Sequence, residues 1–149
     1  MKTVYIDLDN VLVDFQSGIN QLTKETKAQF NDRLDEVPGI FSLMQPMPGA
    51  VEAFKLLSAK FDTYILSTAP WENPTAWSDK LLWVKKYLGD VAKKRLILSH
   101  HKNLLRGDFL VDDSPNNGAK DFQGEWIRFG PEGFKTWEEV LNYLSKKVQ

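Results

Sequence analysis

The stretch VYIDLDNVLVDF, residues 4–15, lies close to the N-terminus and decides how the rest of the chain is interpreted. A short apolar run, typical of a buried strand, leads into two acidic residues, Asp7 and Asp9, and apolar residues resume at Val11. Carboxylates among Val, Ile and Leu side chains are costly to bury unless something positive lies between them. The stretch therefore predicts a strand that ends at a charged site.

The rest of the chain alternates strand-like and helix-like segments. The predicted strands cover residues 4–8, 62–67, 96–98, 109–111 and 125–129. A helix is expected after the first loop, where Phe15, Ile19, Leu22 and Phe30 recur at helical spacing, and another at 48–60, with Pro48 in its first turn. This alternation predicts an α/β fold with a Rossmann-like parallel sheet and helices on both faces.

Two further helices carry clear end signals. One is capped by Asn73 or Ser78, ends at Gly89 and presents an apolar stripe. The stripe consists of Trp77, Leu81, Val84 and Leu88. The last helix begins at Thr136, with Glu139 completing a capping box.

Polar residues follow three of the predicted strands. Ligands of parallel sheets bind beyond the carboxyl ends of the strands, which is where Asp7, Thr68, Asp112 and Asp113 fall. With Asp9, four carboxylates meet at this edge, and they repel one another unless a divalent cation is present. Carboxylate oxygens suit Mg²⁺, and carboxylates beside a hydroxyl and a lysine are typical of phosphoryl transfer.

Composition narrows the class of protein. The length of 149 residues predicts one domain. The absence of cysteine excludes disulfides and thiolate metal sites. The formal net charge of −1 lacks the basic excess of a nucleic-acid-binding protein. No apolar run is long enough to span a bilayer, and the first strand leaves no room for a signal peptide. We therefore expect a cytoplasmic protein that binds neither nucleic acid nor membranes.

Several motifs resemble those of a known family. DLDNVL (7–12), LST (66–68) and FLVDD (109–113) are similar to motifs of the haloacid dehalogenase-like phosphatases. Within that superfamily, the 5'(3')-deoxyribonucleotidase branch is resembled by four stretches in the right order, which are QPMPGAVEAF (45–54), STAP (67–70), KLLWVKKYLG (80–89) and DFLVDDSP (108–115). The resemblance implies a catalytic core of residues 1–13 and 46–149, with a small helical cap, residues 14–45, inserted after the first strand.

The resemblance also implies roles for the acidic residues. Asp7 is expected to attack phosphorus and form an aspartyl-phosphate, while Asp9 acts first as general acid and then as general base. Mg²⁺ is expected to be held by Asp7, by the backbone carbonyl of Asp9, and by Asp112 and Asp113.

The phosphate-binding residues implied by the resemblance are Thr68, Ala69 and Lys80. Thr68 is expected to donate a hydrogen bond to a phosphoryl oxygen, with Ala69 in the place of a common Ser. Lys80 is expected to offset charge on the phosphoryl group and on Asp7.

The resemblance bears on the substrate as well. Phe15 matches an aromatic position that faces the nucleobase. Phe41, Met44 and Trp71 are candidates to replace the aromatic residues that this short cap lacks. The implied substrate is a deoxynucleoside monophosphate; the short cap leaves open another small phosphate ester, such as a sugar phosphate. A homodimer is expected by analogy, since a second subunit often helps to cover a site with a small cap.

Other interpretations are weaker. A Ca²⁺ loop beginning at Asp7 would need Gly at its sixth position and Glu at its twelfth, where the chain has Leu12 and Gly18. His100 and His101 lack a third ligand nearby, and no Gly-rich phosphate loop suggests a kinase. A non-catalytic nucleotide-binding module on the same fold remains an alternative.

Overall fold

Five parallel strands form one sheet in the computed structural model, which describes residues 1–148. The sheet has the order β5-β4-β1-β6-β7, and β2 and β3 form a separate antiparallel pair. The strands are β1 (Thr3–Ile6), β2 (Val13–Asp14), β3 (Gln45–Pro46), β4 (Asp62–Ser67), β5 (Leu96–Leu98), β6 (Phe109–Asp112) and β7 (Glu125–Arg128). The predicted parallel sheet is confirmed, and β1 lies at its centre.

Within the described residues, five α-helices accompany the strands. They are α1 (Phe15–Ile19), α2 (Lys24–Phe30), α3 (Ala50–Ser58), α4 (Pro74–Tyr87) and α5 (Trp137–Ser145). The single helix expected after the first loop is two short ones, because the hydroxyl of Thr23 accepts from the amide of Thr26 and starts α2 separately. None of the helices in residues 1–148 has the length and apolarity needed to cross a membrane.

The sheet is packed on both faces. Alternate residues of the central strand point to opposite sides, so Val4 and Ile6 join the larger core with α3 and α5 residues, while Tyr5 joins a smaller cluster. That smaller cluster is completed by Phe122 and by Ala119 from a 3₁₀ turn, Ala119–Asp121. Burial of both faces explains why the strands are apolar throughout rather than alternating.

The buried face of α4 differs from the expected stripe. Val84 and Leu88 are buried as expected, but Trp77 and Leu81 are 38% and 43% exposed. Lys80 and Trp83 are buried instead. The apolar pattern misled here because Lys80 is buried through an ion pair, which no hydrophobic period can indicate. Asn73 stands at the N-cap position of α4 as expected, but its Oδ1 accepts from the Thr75 hydroxyl at 2.7 Å and not from a backbone amide of the first turn.

A tight turn explains why apolar residues resume after Asp9. The amides of Val11, Leu12 and Val13 all donate to the Leu8 carbonyl at 2.8–3.0 Å, and Asn10 adopts a positive φ of 63°. The chain therefore doubles back on itself after the first strand and returns three buried side chains to the core. Asp9 lies at the start of this turn, with its carboxylate beside Lys80.

The insertion between β2 and β3 packs onto the rest of the protein. Ile40 and Met44 belong to the same core as the sheet, and the indole Nε1 of Trp83 donates to the Met44 carbonyl at 3.1 Å. Thr75 on α4 accepts from the Gly39 amide at 3.0 Å. The division into core and cap at residues 13/14 and 45/46 stays a prediction, but the inserted segment shares one hydrophobic core with the sheet.

Trp83→Phe should weaken the attachment of the insertion. We expect it to lower the free energy of unfolding by about 1–3 kcal/mol, because the Met44 carbonyl loses its donor and the smaller ring leaves a gap. Urea unfolding measures this change. Trp77→Phe, on the exposed side of the same helix, is the matched control and should change stability by about 0.5 kcal/mol or less; equal effects of the two substitutions would contradict the proposed attachment.

Candidate active site

The register of the sheet brings the first acidic residues together. Ile6 pairs with Val111 between β1 and β6, and the Asp7 amide donates to the Val111 carbonyl at 2.9 Å. Asp7 and Asp112 therefore end neighbouring strands. Carboxylate oxygens of Asp7, Asp112 and Asp113 all lie within 4.8 Å of one another.

Lys102 lies between two of these carboxylates and was missed by sequence reasoning. Its Nζ is 2.6 Å from Asp112 Oδ2 and 3.2 Å from Asp7 Oδ1, and the side chain is buried. It belongs to a short 3₁₀ turn, Lys102–Leu104, that follows β5. The rule that ligand-binding residues follow the carboxyl ends of strands could have found it, had it been applied to β5 as well.

Lys80 holds the second acidic residue. Its buried Nζ is 2.9 Å from Asp9 Oδ2 and 2.9 Å from Ser67 Oγ, and it lies 4.4 Å from the centroid of the Phe41 ring. The other oxygen, Asp9 Oδ1, is buried and has no hydrogen-bond partner within residues 1–148. Lys80 therefore orients Asp9, and the ion pair with Asp7 is made by Lys102 instead.

The electrostatics reflect an excess of buried negative charge. Burial, followed by repulsion from Asp112, raises the pKa of Asp7 to about 7, and Lys102 opposes the shift. Burial and the neighbouring Asp7 raise the pKa of Asp113 to about 6. Burial also raises the pKa of Asp112, against the lowering effect of Lys102. More carboxylates than lysines therefore surround the cavity, and the site has an excess of negative charge when they ionise.

The donor set fits Mg²⁺. Three carboxylates converge within bridging distance at one sheet edge, and hard oxygen ligands are those that Mg²⁺ prefers. Asp112 Oδ2 is already engaged by Lys102 and its Oδ1 accepts from the Ser114 amide at 3.1 Å. The side chain of Asp9 is not part of the converging group.

The carboxylates open into a cavity of about 330 Å³, called here the catalytic cavity. Thr68 lines it and donates its hydroxyl proton to the Ser99 carbonyl at 2.8 Å, so a phosphoryl oxygen would have to displace that carbonyl to receive the same proton. Ala69 is fully buried and Lys80 does not line the cavity. Phosphate binding by Thr68, Ala69 and Lys80 stays a prediction.

Of the aromatic residues expected to contact the nucleobase, only some line the catalytic cavity. Phe15 and Phe41 pack edge to face, with ring centroids 5.9 Å apart, and neither lines the catalytic cavity. Trp71 does line it and is 76% exposed. His100 also lines it, whereas His101 is exposed and does not.

Comparison with known proteins identifies the family. The profile of the family described as "5' nucleotidase, deoxy (Pyrimidine), cytosolic type C protein" matches residues 29–140. A provisionally named 5'(3')-deoxyribonucleotidase of Vibrio phage KVP40 is 58% identical over 144 residues, which cover 97% of this chain and 85% of the relative. The chain belongs to this nucleotidase family. It is a phosphoric monoester hydrolase of the 5'-nucleotidase type. This assignment goes against the alternative of a non-catalytic nucleotide-binding module.

Further comparisons agree with this assignment. A relative with the same provisional name in Bordetella pertussis is 33% identical over 137 residues, covering 75% of this nucleotidase and 74% of the relative. Among solved structures, the HAD-hydrolase YfnB of Bacillus subtilis bound to magnesium superposes with a TM-score of 0.63 at 16% identity, covering 96% of this chain and 98% of YfnB. The fold is therefore that of the haloacid dehalogenase-like hydrolases, as the motifs indicated.

Lys102→Met should destabilise the nucleotidase in a pH-dependent way. Asp7 titrates near pH 4 when unfolded and near pH 7 when folded, so the folded state binds more protons between these values and stability falls as pH rises through them. Without Lys102 two buried carboxylates lose their partner, and we expect a loss of about 3–5 kcal/mol at pH 8. The loss should be smaller at pH 5, where the carboxylates take up protons.

Urea unfolding at both pH values, without added metal, measures this effect. Lys120→Met removes an exposed lysine and serves as the matched control, with little expected change at either pH. A pH-independent loss in Lys102→Met would contradict the proposed role of the Lys102 charge in holding these carboxylates.

Proposed function

We propose that this nucleotidase hydrolyses deoxynucleoside monophosphates in a Mg²⁺-dependent reaction through an aspartyl-phosphate on Asp7. The observation that carries the proposal is the grouping of Asp7, Asp112 and Asp113 around a shared point, with Lys102 bound to two of them. This arrangement matches what phosphoryl transfer requires, since catalysis there depends on positioning and on neutralising charge.

In the first step a carboxylate oxygen of Asp7 attacks phosphorus. The new Asp7–phosphorus bond forms as the bond from phosphorus to the ester oxygen breaks, and the leaving oxygen takes the proton of Asp9. Asp9 suits this role because Oδ2 is fixed by Lys80 while Oδ1 has no partner within residues 1–148. The products of this step are a deoxynucleoside and the phosphorylated Asp7.

In the second step a water molecule replaces Asp7 on phosphorus. Asp9, now a carboxylate, accepts a proton from the water, and the water oxygen bonds to phosphorus as the Asp7–phosphorus bond breaks. Inorganic phosphate leaves, and both aspartates return to their starting states. Asp9 thus serves first as general acid and then as general base.

Asp7, Asp112 and Asp113 would hold Mg²⁺, which supplies neutralisation of the charge that gathers on the phosphoryl oxygens. Cation binding and ionisation of Asp7 favour each other, so the nucleophile would be deprotonated when the cation is bound despite its raised pKa. Lys102 keeps Asp7 and Asp112 in place, and Lys80 keeps Asp9 in place.

Phosphate release from a substrate panel tests the proposal. The panel contains deoxy- and ribonucleoside 5'- and 3'-monophosphates, sugar phosphates and an aryl phosphate, each with Mg²⁺ and with EDTA. We expect hydrolysis to require Mg²⁺ and kcat/KM to be highest for deoxynucleotides. A preference for sugar phosphates would favour the alternative substrate class, and full activity in EDTA would contradict the role of the cation.

Asp7→Asn should remove the nucleophile while preserving the shape of the side chain. We expect kcat to fall by at least about 1,000-fold, because an amide cannot form the covalent intermediate. Acid-quenched reactions with ³²P-labelled substrate should trap label on the unmodified protein and not on the variant. Asp90→Asn, which changes an exposed carboxylate, is the control; substantial turnover by Asp7→Asn would exclude the aspartyl-phosphate route.

A further inference from the structure

The wall of the catalytic cavity has an aromatic part that comes from the sheet side of the protein. Trp71 follows β4 and His100 follows β5, and both line the cavity. The Trp71 and His100 rings meet edge to face, with centroids 5.9 Å apart and an interplanar angle of 75°. No aromatic residue of the insertion lines the cavity within the described chain.

His100 is held from behind by a second indole. Its ring centroid lies 6.0 Å from that of Trp77 on α4, so the imidazole touches two tryptophans. Its Nε2 is buried and finds no hydrogen-bond partner in residues 1–148. Leaving such a nitrogen unpaired costs free energy, so hydrogen bonding does not account for the position of this ring.

Trp71, in contrast to the buried nitrogen of His100, is largely exposed to solvent. An indole that is 76% exposed contributes little to the hydrophobic core, yet this one stands at the cavity that contains the catalytic carboxylates. An exposed flat apolar surface beside a charged site is suited to a ligand with a planar group and a phosphate. Nucleoside monophosphates have both.

We propose that the nucleobase of the substrate stacks on the exposed indole of Trp71, which His100 holds in position with the support of Trp77. This inference rests on the proposed function and adds to it the place where the base is recognised. Stacking on aromatic side chains tolerates any base, because every base has a π-face. The surface therefore selects nucleotides over base-free phosphate esters without choosing strongly among the bases.

Phe15 and Phe41 lie away from the catalytic cavity, which neither of them lines. Phe41 instead lies under the ammonium group of Lys80, 4.4 Å away, where it supports the residue that orients Asp9. Aromatic contact with the base thus passes from the insertion to the loops after β4 and β5.

A comparison of matched substrates tests the inference. Deoxynucleoside 5'-monophosphates and 2-deoxyribose 5-phosphate share the sugar and the ester and differ in the base. We expect Trp71→Ala to lower kcat/KM for the nucleotides by about 10-fold to 100-fold, mostly through KM, and to change that for the sugar phosphate by about twofold or less. Trp71→Phe, which retains a flat ring, should recover most of the loss.

His100 is tested in the same way, as the residue that positions this surface. His100→Ala should weaken nucleotide selectivity, and His100→Phe should restore it because the planar contact with both indoles is kept. Leu56→Ala, which truncates another exposed apolar side chain, on α3, is the control. Quenching of tryptophan fluorescence by a deoxynucleotide bound to Asp7→Asn should also diminish when Trp71→Phe is added.

The outcomes separate the inference from the proposed function. Suppose that the wild-type protein prefers nucleotides, but Trp71→Ala lowers kcat/KM for both substrates equally or for neither. The base then stacks elsewhere and the inference is wrong. If the wild-type protein hydrolyses both substrates equally well, the base is not recognised and the inference is also wrong, while the phosphatase chemistry stands. If it hydrolyses no phosphate ester of the panel, the proposed function itself fails.

Discussion

The ion pairs of Lys102 with Asp7 and Asp112 are the interaction on which the site depends. Three charged side chains are withdrawn from water at the centre of a parallel sheet, at a cost that only mutual attraction can offset. The offset is incomplete, since the pKa of Asp7 remains raised to about 7. The unbalanced negative charge would favour binding of the proposed divalent cation at this point.

The rest of the fold serves to hold this cluster in place. The central position of β1 gives Asp7 neighbours on both sides. The tight turn after Leu8 places Asp9 beside Lys80 and returns apolar residues to the core. The insertion packs into the same core and brings Phe41 beneath Lys80. Orientation of the proposed acid–base residue thus depends on packing contributed by a segment distant from it in sequence.

Much of this could be predicted from the sequence. Alternating strands and helices indicated the sheet, and the rule for strand ends placed Asp7, Thr68, Asp112 and Asp113 at one edge. The role of Lys102 was not predicted, because a lysine in a polar segment has the same sequence signature as any solvated lysine. The face of α4 was misjudged for a related reason, since Lys80 is buried by an ion pair while Trp77 and Leu81 remain partly exposed.

Local chemistry by itself determined the strands, the order of the motifs and the acidic residues that follow them. These depend on short-range periodicity and residue type, which the chain carries wherever it folds. Tertiary structure alone decided which lysine binds which aspartate and which aromatic rings meet the cavity. Those pairings join residues as far apart as Asp7 and Lys102, and they follow from sheet register and helix rotation, which set distances that no local pattern encodes.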